Sequence, residues 1–118
     1  MCKLFIGAEP QLWEARAKSL RIDGMVTSVR LEDYFWRVLG EIAARDELSV
    51  SQLIARLHNE AAEAGHDLAN FTSFLRVCCA RYLDLLSRGD VPADPAQPIS
   101  GLDADAILSR ERERHAYA

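Results

Sequence analysis

At 118 residues, 49% hydrophobic and 27% charged, the chain has room for one small globular core. It is too short for a barrel or a large doubly wound sheet, and no stretch approaches the roughly 20 apolar residues of a membrane span. The net charge of −4 excludes a protein coated in basic residues, and three cysteines make no paired framework, so reduced thiols and a cytoplasmic location are expected.

The opening Met1-Cys2-Lys3-Leu4-Phe5-Ile6-Gly7 has too short an apolar run for a secretion signal. Residues 8–17 suit a short helical turn with Pro10 near its start. From Lys18 the pattern becomes period two, with Leu20 and Ile22 alternating with Ser19, Arg21 and Asp23. A second alternating run follows Asp23-Gly24, and that dipeptide between two such runs is a hairpin signal. With Val29 and Leu31 facing a core, Val26, Ser28 and Arg30 must face outward.

The period then changes to that of a helix. Phe35, Val38, Leu39, Ile42 and Ala43 fall on one stripe between Leu31 and Arg45. After Asp46-Glu47-Leu48, Ser49 offers an N-cap for a second helix with Val50, Leu53, Ile54, Leu57 and Ala61 on its apolar side. A third helix is expected after Asn70, carrying Phe71, Phe74, Leu75, Cys78, Tyr82, Leu85 and Leu86 and ending at Gly89. Pro92, Pro95 and Pro98 mark residues 90–102 as a linker, and Asp103 to Arg114 is either a short helix or a frayed end. The chain thus divides into an N-terminal extension over 1–24 with a candidate extra strand, a central unit over 25–89, and a linker with a charged tail over 90–118.

Charge follows the same division. Residues 1–31 hold Lys3, Arg16, Lys18, Arg21 and Arg30 against Glu9, Glu14 and Asp23, whereas 32–66 hold three arginines against seven acids. Any contact with nucleic acid is therefore expected from the first segment.

A single short strand followed by two amphipathic helices leaves backbone groups unpaired and apolar stripes uncovered. The simplest remedy is a homodimer in which residues 26–31 pair antiparallel with the same residues of a second copy. The expected fold is mainly α with a short N-terminal β-ribbon and an additional C-terminal helix.

That order resembles the ribbon-helix-helix (MetJ/Arc-type) DNA-binding family, and within it a stand-alone bacterial subgroup. The resemblance rests on Thr27-Ser28-Val29-Arg30-Leu31-Glu32, on the run Phe35 to Ala43, and on Leu48-Ser49-Val50-Ser51-Gln52-Leu53-Ile54. The flanking Ser19-Leu20-Arg21-Ile22 and Asn70-Phe71-Thr72-Ser73-Phe74-Leu75-Arg76-Val77 extend it to about residues 18–86. It implies a transcriptional regulator that lays an antiparallel ribbon in the major groove of double-stranded DNA. Val26, Ser28 and Arg30 would contact bases, with Arg30 suited to guanine and Val26 to a thymine methyl. Ser49, Val50 and Ser51 at a helix start would hold phosphate, with Lys18 and Arg21 as further backbone contacts.

The chain also departs from the family pattern. Glu47 stands where glycine is common in the family; a left-handed backbone there would be strained for a residue with a side chain, and its carboxylate would sit near an incoming phosphate. The extra strand at 18–22, paired as a hairpin, would widen the ribbon. With the acidic middle and tail, these departures motivate the alternative of a dimeric protein-interaction module that has lost DNA binding. The third helix or the tail is the candidate surface for a protein partner.

Other residues have plain structural readings. Trp36, Phe35 and Tyr34, and likewise Phe71, Phe74 and Tyr82, lie at helical spacing suited to a core. Cys78 and Cys79 diverge by about 100° on a helix and suit buried apolar positions. No Cys/His spacing fits a zinc site, and Cys2 has no visible base partner. Neither an enzyme nor a cofactor is expected.

Overall fold

The computed structural model describes residues 2–116. A short helix α1 (Cys2–Ile6) and a 3₁₀ turn over Pro10–Trp13 lead into two strands, β1 (Ala15–Ile22) and β2 (Met25–Glu32). Four further helices follow: α2 (Asp33–Arg45), α3 (Val50–Glu63), α4 (Phe71–Ser87) and α5 (Ala104–His115).

The strands form a two-stranded antiparallel hairpin in which Ile22 pairs with Met25 and Ala15 with Glu32. Asp23 and Gly24 both have positive φ, 51° and 78°, the conformation of a type I′ turn whose twist matches the strands it joins. One strand of the expected ribbon therefore finds its first partner within the same chain. The free-strand premise behind an obligatory second copy is corrected accordingly, because β1 already satisfies one edge of β2. Among the described residues, the edge of β2 away from β1 carries no strand.

Period-two burial holds where apolar residues stand. Leu20, Ile22, Val29 and Leu31 are buried on one face, while Arg21, Val26, Ser28 and Arg30 are exposed on the other. α2, α3 and α4 pack beneath the buried face, and Leu31, Leu39, Ile54, Leu75 and Cys79 are its most deeply enclosed side chains. Trp36, Tyr82 and Leu85 complete that core as the helical spacing leads one to expect, while Phe74 and Tyr34 remain exposed. Burial pushes the Cys79 thiol up to about 12, in keeping with an inert packing role.

Residues 90–102, expected to be a linker, instead run as a packed belt. Val91 lies in the core, and Arg45 at the end of α2 holds the segment from beneath. Its Nη2 donates to the carbonyl oxygens of Pro92 and Asp94, both at 2.7 Å, and its Nε to that of Gln97 at 3.0 Å. Its Nη1 donates to the Tyr82 hydroxyl at 3.2 Å. The tail is helical rather than frayed. Asp103 caps α5 by accepting from the Ala106 N–H, Ile107 is buried, and Glu111 is paired with Arg81 of α4. Asp90 accepts from Arg110 and Arg114, closing the belt onto α5. Proline content alone suggested a linker because these contacts lie many residues apart in the chain.

Candidate nucleic-acid interface

The outward face of the hairpin gathers four of the eight candidate residues, Arg21, Val26, Ser28 and Arg30. Directly opposite residues of an antiparallel pair share a face. Val26 stands across from Arg21, Ser28 from Ser19, and Arg30 from Ala17. All six are exposed. This patch combines two guanidinium groups, two hydroxyls and small side chains, with no carboxylate among the six. Arg21 also steadies the turn, donating from Nη1 to the Gly24 carbonyl at 3.2 Å.

Lys18 does not join this patch. Its register partner is the buried Val29, and its Nζ lies 4.8 Å from the centre of the Trp36 ring, a cation–π contact. Arg16, on the same side, pairs with Asp33, which also accepts from Arg37. The Trp36 indole N–H donates to the Arg16 carbonyl at 3.0 Å. These polar residues occupy the core-side face of β1 because Asp33 and Trp36 of α2 give them partners there.

Glu32, at the end of β2, is gripped by Arg76 of α4. That guanidinium holds the Glu32 carboxyl below the usual carboxylate range. The acid nearest Arg30 along the strand is therefore already neutralised by pairing.

The second candidate element is the start of α3. Ser49 Oγ accepts from the Gln52 N–H at 3.1 Å, and Gln52 Oε1 accepts from the Ser49 N–H at 2.9 Å, forming a reciprocal capping box. The Val50 and Ser51 N–H groups have no acceptor among the described residues. Such donors at the positive end of a helix suit an anion. Ser49 and Ser51 are exposed and Val50 is half-buried. Glu47 indeed adopts the left-handed backbone expected for a glycine, with φ 56°. Its neighbour Asp46 is occupied, accepting from both the N–H and the hydroxyl of Ser100.

A family model, described as a ribbon-helix-helix domain, matches residues 15–83. The chain belongs to the ribbon-helix-helix family. The matched span opens at the first residue of β1, so the added strand lies within the domain. The chain is also similar to a solved structure, an uncharacterized protein from Bordetella pertussis Tohama I, with 54% identity and a TM-score of 0.85. The similarity covers 92% of this chain and 86% of that one. No protein with curated annotation matches. Family members of this type typically bind DNA and form dimers.

Sequence alternation does not single out Ala15, Ala17 and Ser19, the small residues of β1 on the outer face. The signal was nevertheless available. A two-residue Asp-Gly turn fixes Ile22 against Met25, and counting back places Ser19 against Ser28. Among the described residues, no group of three or more His, Cys, Asp or Glu is placed to hold a metal ion. No described helix is long and apolar enough to cross a membrane.

Proposed function

We propose that this ribbon-helix-helix protein is a cytoplasmic transcriptional regulator that binds double-stranded DNA as a homodimer. The observation that carries this reading is the exposed row of Val26, Ser28 and Arg30 on β2, backed by the buried Val29 and Leu31. Such a row can present side chains to base edges only if its backing is rigid, and burial against three helices supplies that rigidity. Arg30 offers a bidentate donor pair to guanine, Ser28 donates or accepts, and Val26 packs on a thymine methyl. The free Val50 and Ser51 N–H groups supply a phosphate contact that fixes the docking register.

The second copy joins at the open edge of β2. In a hairpin closed by a two-residue turn, the pair flanking the turn is hydrogen-bonded and the next is not. Counting from Ile22 and Met25, the backbone groups of residues 25, 27, 29 and 31 face β1. Those of Val26, Ser28 and Arg30 consequently point to the open edge. Antiparallel pairing with a second β2 about a two-fold axis satisfies them and brings both Arg30 side chains onto one outer face.

Selection of bound duplex from a random pool, followed by titration with salt, tests the reading. Specific binding that weakens steeply as salt rises is expected, because phosphate contacts release counterions. Arg30→Ala is expected to cost about 1–3 kcal/mol and to relax preference at one base pair per half-site. A second reading, a protein-interaction module on the same fold, is favoured by an exposed acid, Glu47, two positions before the Ser49 cap of α3. Absence of any salt-dependent binding to genomic fragments would select it.

A further inference from the structure

The added strand β1 changes how a dimer of this chain can meet a duplex. Pairing two copies through β2 yields four strands in the order β1–β2–β2–β1. Three strand spacings of about 4.8 Å put the two outer strands roughly 14 Å apart, whereas the major groove is about 12 Å wide. The inner pair can enter the groove, but the outer strands cannot lie on its floor. They must sit over its walls, where the phosphates are.

The outward residues of β1 suit that position. Ala15, Ala17 and Ser19 are small and exposed, so the strand backbone can approach a phosphodiester closely. The Ser19 hydroxyl can donate to a phosphate oxygen, and the Arg21 guanidinium retains donors beyond the one given to the Gly24 carbonyl. Ala15, Ala17, Ser19 and Arg21 include no acid, and Glu32, which stands across from Ala15, is held by Arg76. The longer basic residues of β1, Arg16 and Lys18, are turned to the other face and tied to Asp33 and Trp36.

We infer that the outer face of β1, through Ser19 and Arg21 with Ala17 between the strands' reading row and the groove wall, is a sequence-independent phosphate rail flanking the base-reading strand. The inference rests on the DNA-binding reading above and divides the hairpin between two tasks. β2 discriminates between sequences, and β1 contributes equally to all of them. The widened ribbon thus docks across the groove instead of being blocked from it.

The test compares affinities of the full-length protein for its selected duplex and for a scrambled duplex at several salt concentrations. Ser19→Asp and Arg21→Ala are expected to weaken both by a similar factor, about tenfold or more, leaving their ratio unchanged. Arg21→Ala should also make the salt slope shallower by about 2 per dimer, one contact from each copy. Arg30→Ala should instead lower the ratio, by about tenfold or more. Ser19 lies away from the turn, so its variant does not depend on the Arg21–Gly24 contact. If β1 variants leave both affinities intact, or alter the ratio as Arg30→Ala does, the rail is wrong while DNA binding stands. If the wild type binds neither duplex, the DNA-binding reading itself fails.

Discussion

Arg76 of α4 forms a two-pronged pair with Glu32 at the end of β2, with Nε 2.8 Å from Oε1 and Nη2 3.2 Å from Oε2. The contact ties the third helix of the domain to the strand carrying Val26, Ser28 and Arg30. It also removes a free carboxylate from the neighbourhood of Arg30. Both side chains are partly exposed, so solvent screening keeps the stabilisation modest, about 1 kcal/mol or less. Because folding depresses the Glu32 pKa, this stabilisation is present above the unfolded value near 4.5 and is lost as pH falls through the lower folded value. Urea unfolding of wild type and Arg76→Ala should therefore differ at pH 7 and converge near the acid end of that window. An equal gap at both pH values would show that the charge pairing is not its source.

Glu47 holds a left-handed backbone with φ 56°, which costs an ordinary side chain roughly 1 kcal/mol or more relative to glycine. Glu47→Gly is expected to stabilise the fold by up to about 1 kcal/mol, part of the gain being offset by greater freedom in the unfolded chain. Removing an exposed negative charge two residues before Ser49 should also strengthen DNA binding, most visibly at low salt. Thermal unfolding and a binding isotherm at two ionic strengths check both effects. A destabilised glycine variant would mean that Glu47 makes a contact worth more than the backbone strain.

Arg45 is buried and gives its hydrogen bonds to three main-chain carbonyls and the Tyr82 hydroxyl, without a carboxylate partner among the described residues. Its replacement strands those acceptors and opens a gap beneath the belt. Arg45→Met is expected to destabilise by about 2–4 kcal/mol. Amide exchange should quicken first across residues 91–102, where the belt loses its anchor. Uniform acceleration throughout α2, α3 and α4 instead would indicate that the belt has no separate stability.

Lys18 and Arg21 lie three residues apart but on opposite faces of β1. Lys18→Ala is expected to cost about 0.5–1 kcal/mol of stability through the lost contact with Trp36, while leaving DNA affinity close to wild type. Arg21→Ala should show the reverse emphasis. Gel-shift and denaturation measurements on the two variants separate these roles, and a large affinity loss in Lys18→Ala would place its ammonium on the phosphate side.

The parts of the fold legible in the sequence are those governed by local periodicity. Asp23-Gly24 announces its turn, Ser49 its helix start, and the stripe of Leu39, Ile42 and Ala43 its buried side. Alternation marks β1 only from Lys18 onward, whereas the strand begins at Ala15. Its first half shows no apolar alternation, because Arg16 and Lys18 face inward toward Asp33 and Trp36 rather than into an oily core. The belt was illegible for another reason. Three prolines are a local signal for a linker, and the arginine that binds the segment is 47 to 52 residues away. At the candidate site, alternation alone exposed Val26, Ser28 and Arg30, but Ser19 and Ala17 required the register of a second strand.

Sedimentation equilibrium at micromolar concentration on the wild type and Ser28→Pro tests the pairing of β2 most directly. Proline at position 28 removes an N–H aimed at the open edge, leaving the groups that hold β1 in place. A wild-type dimer and a Ser28→Pro monomer with retained far-UV circular dichroism are expected. A wild type that stays a folded monomer, or a proline variant that still dimerises, would contradict it.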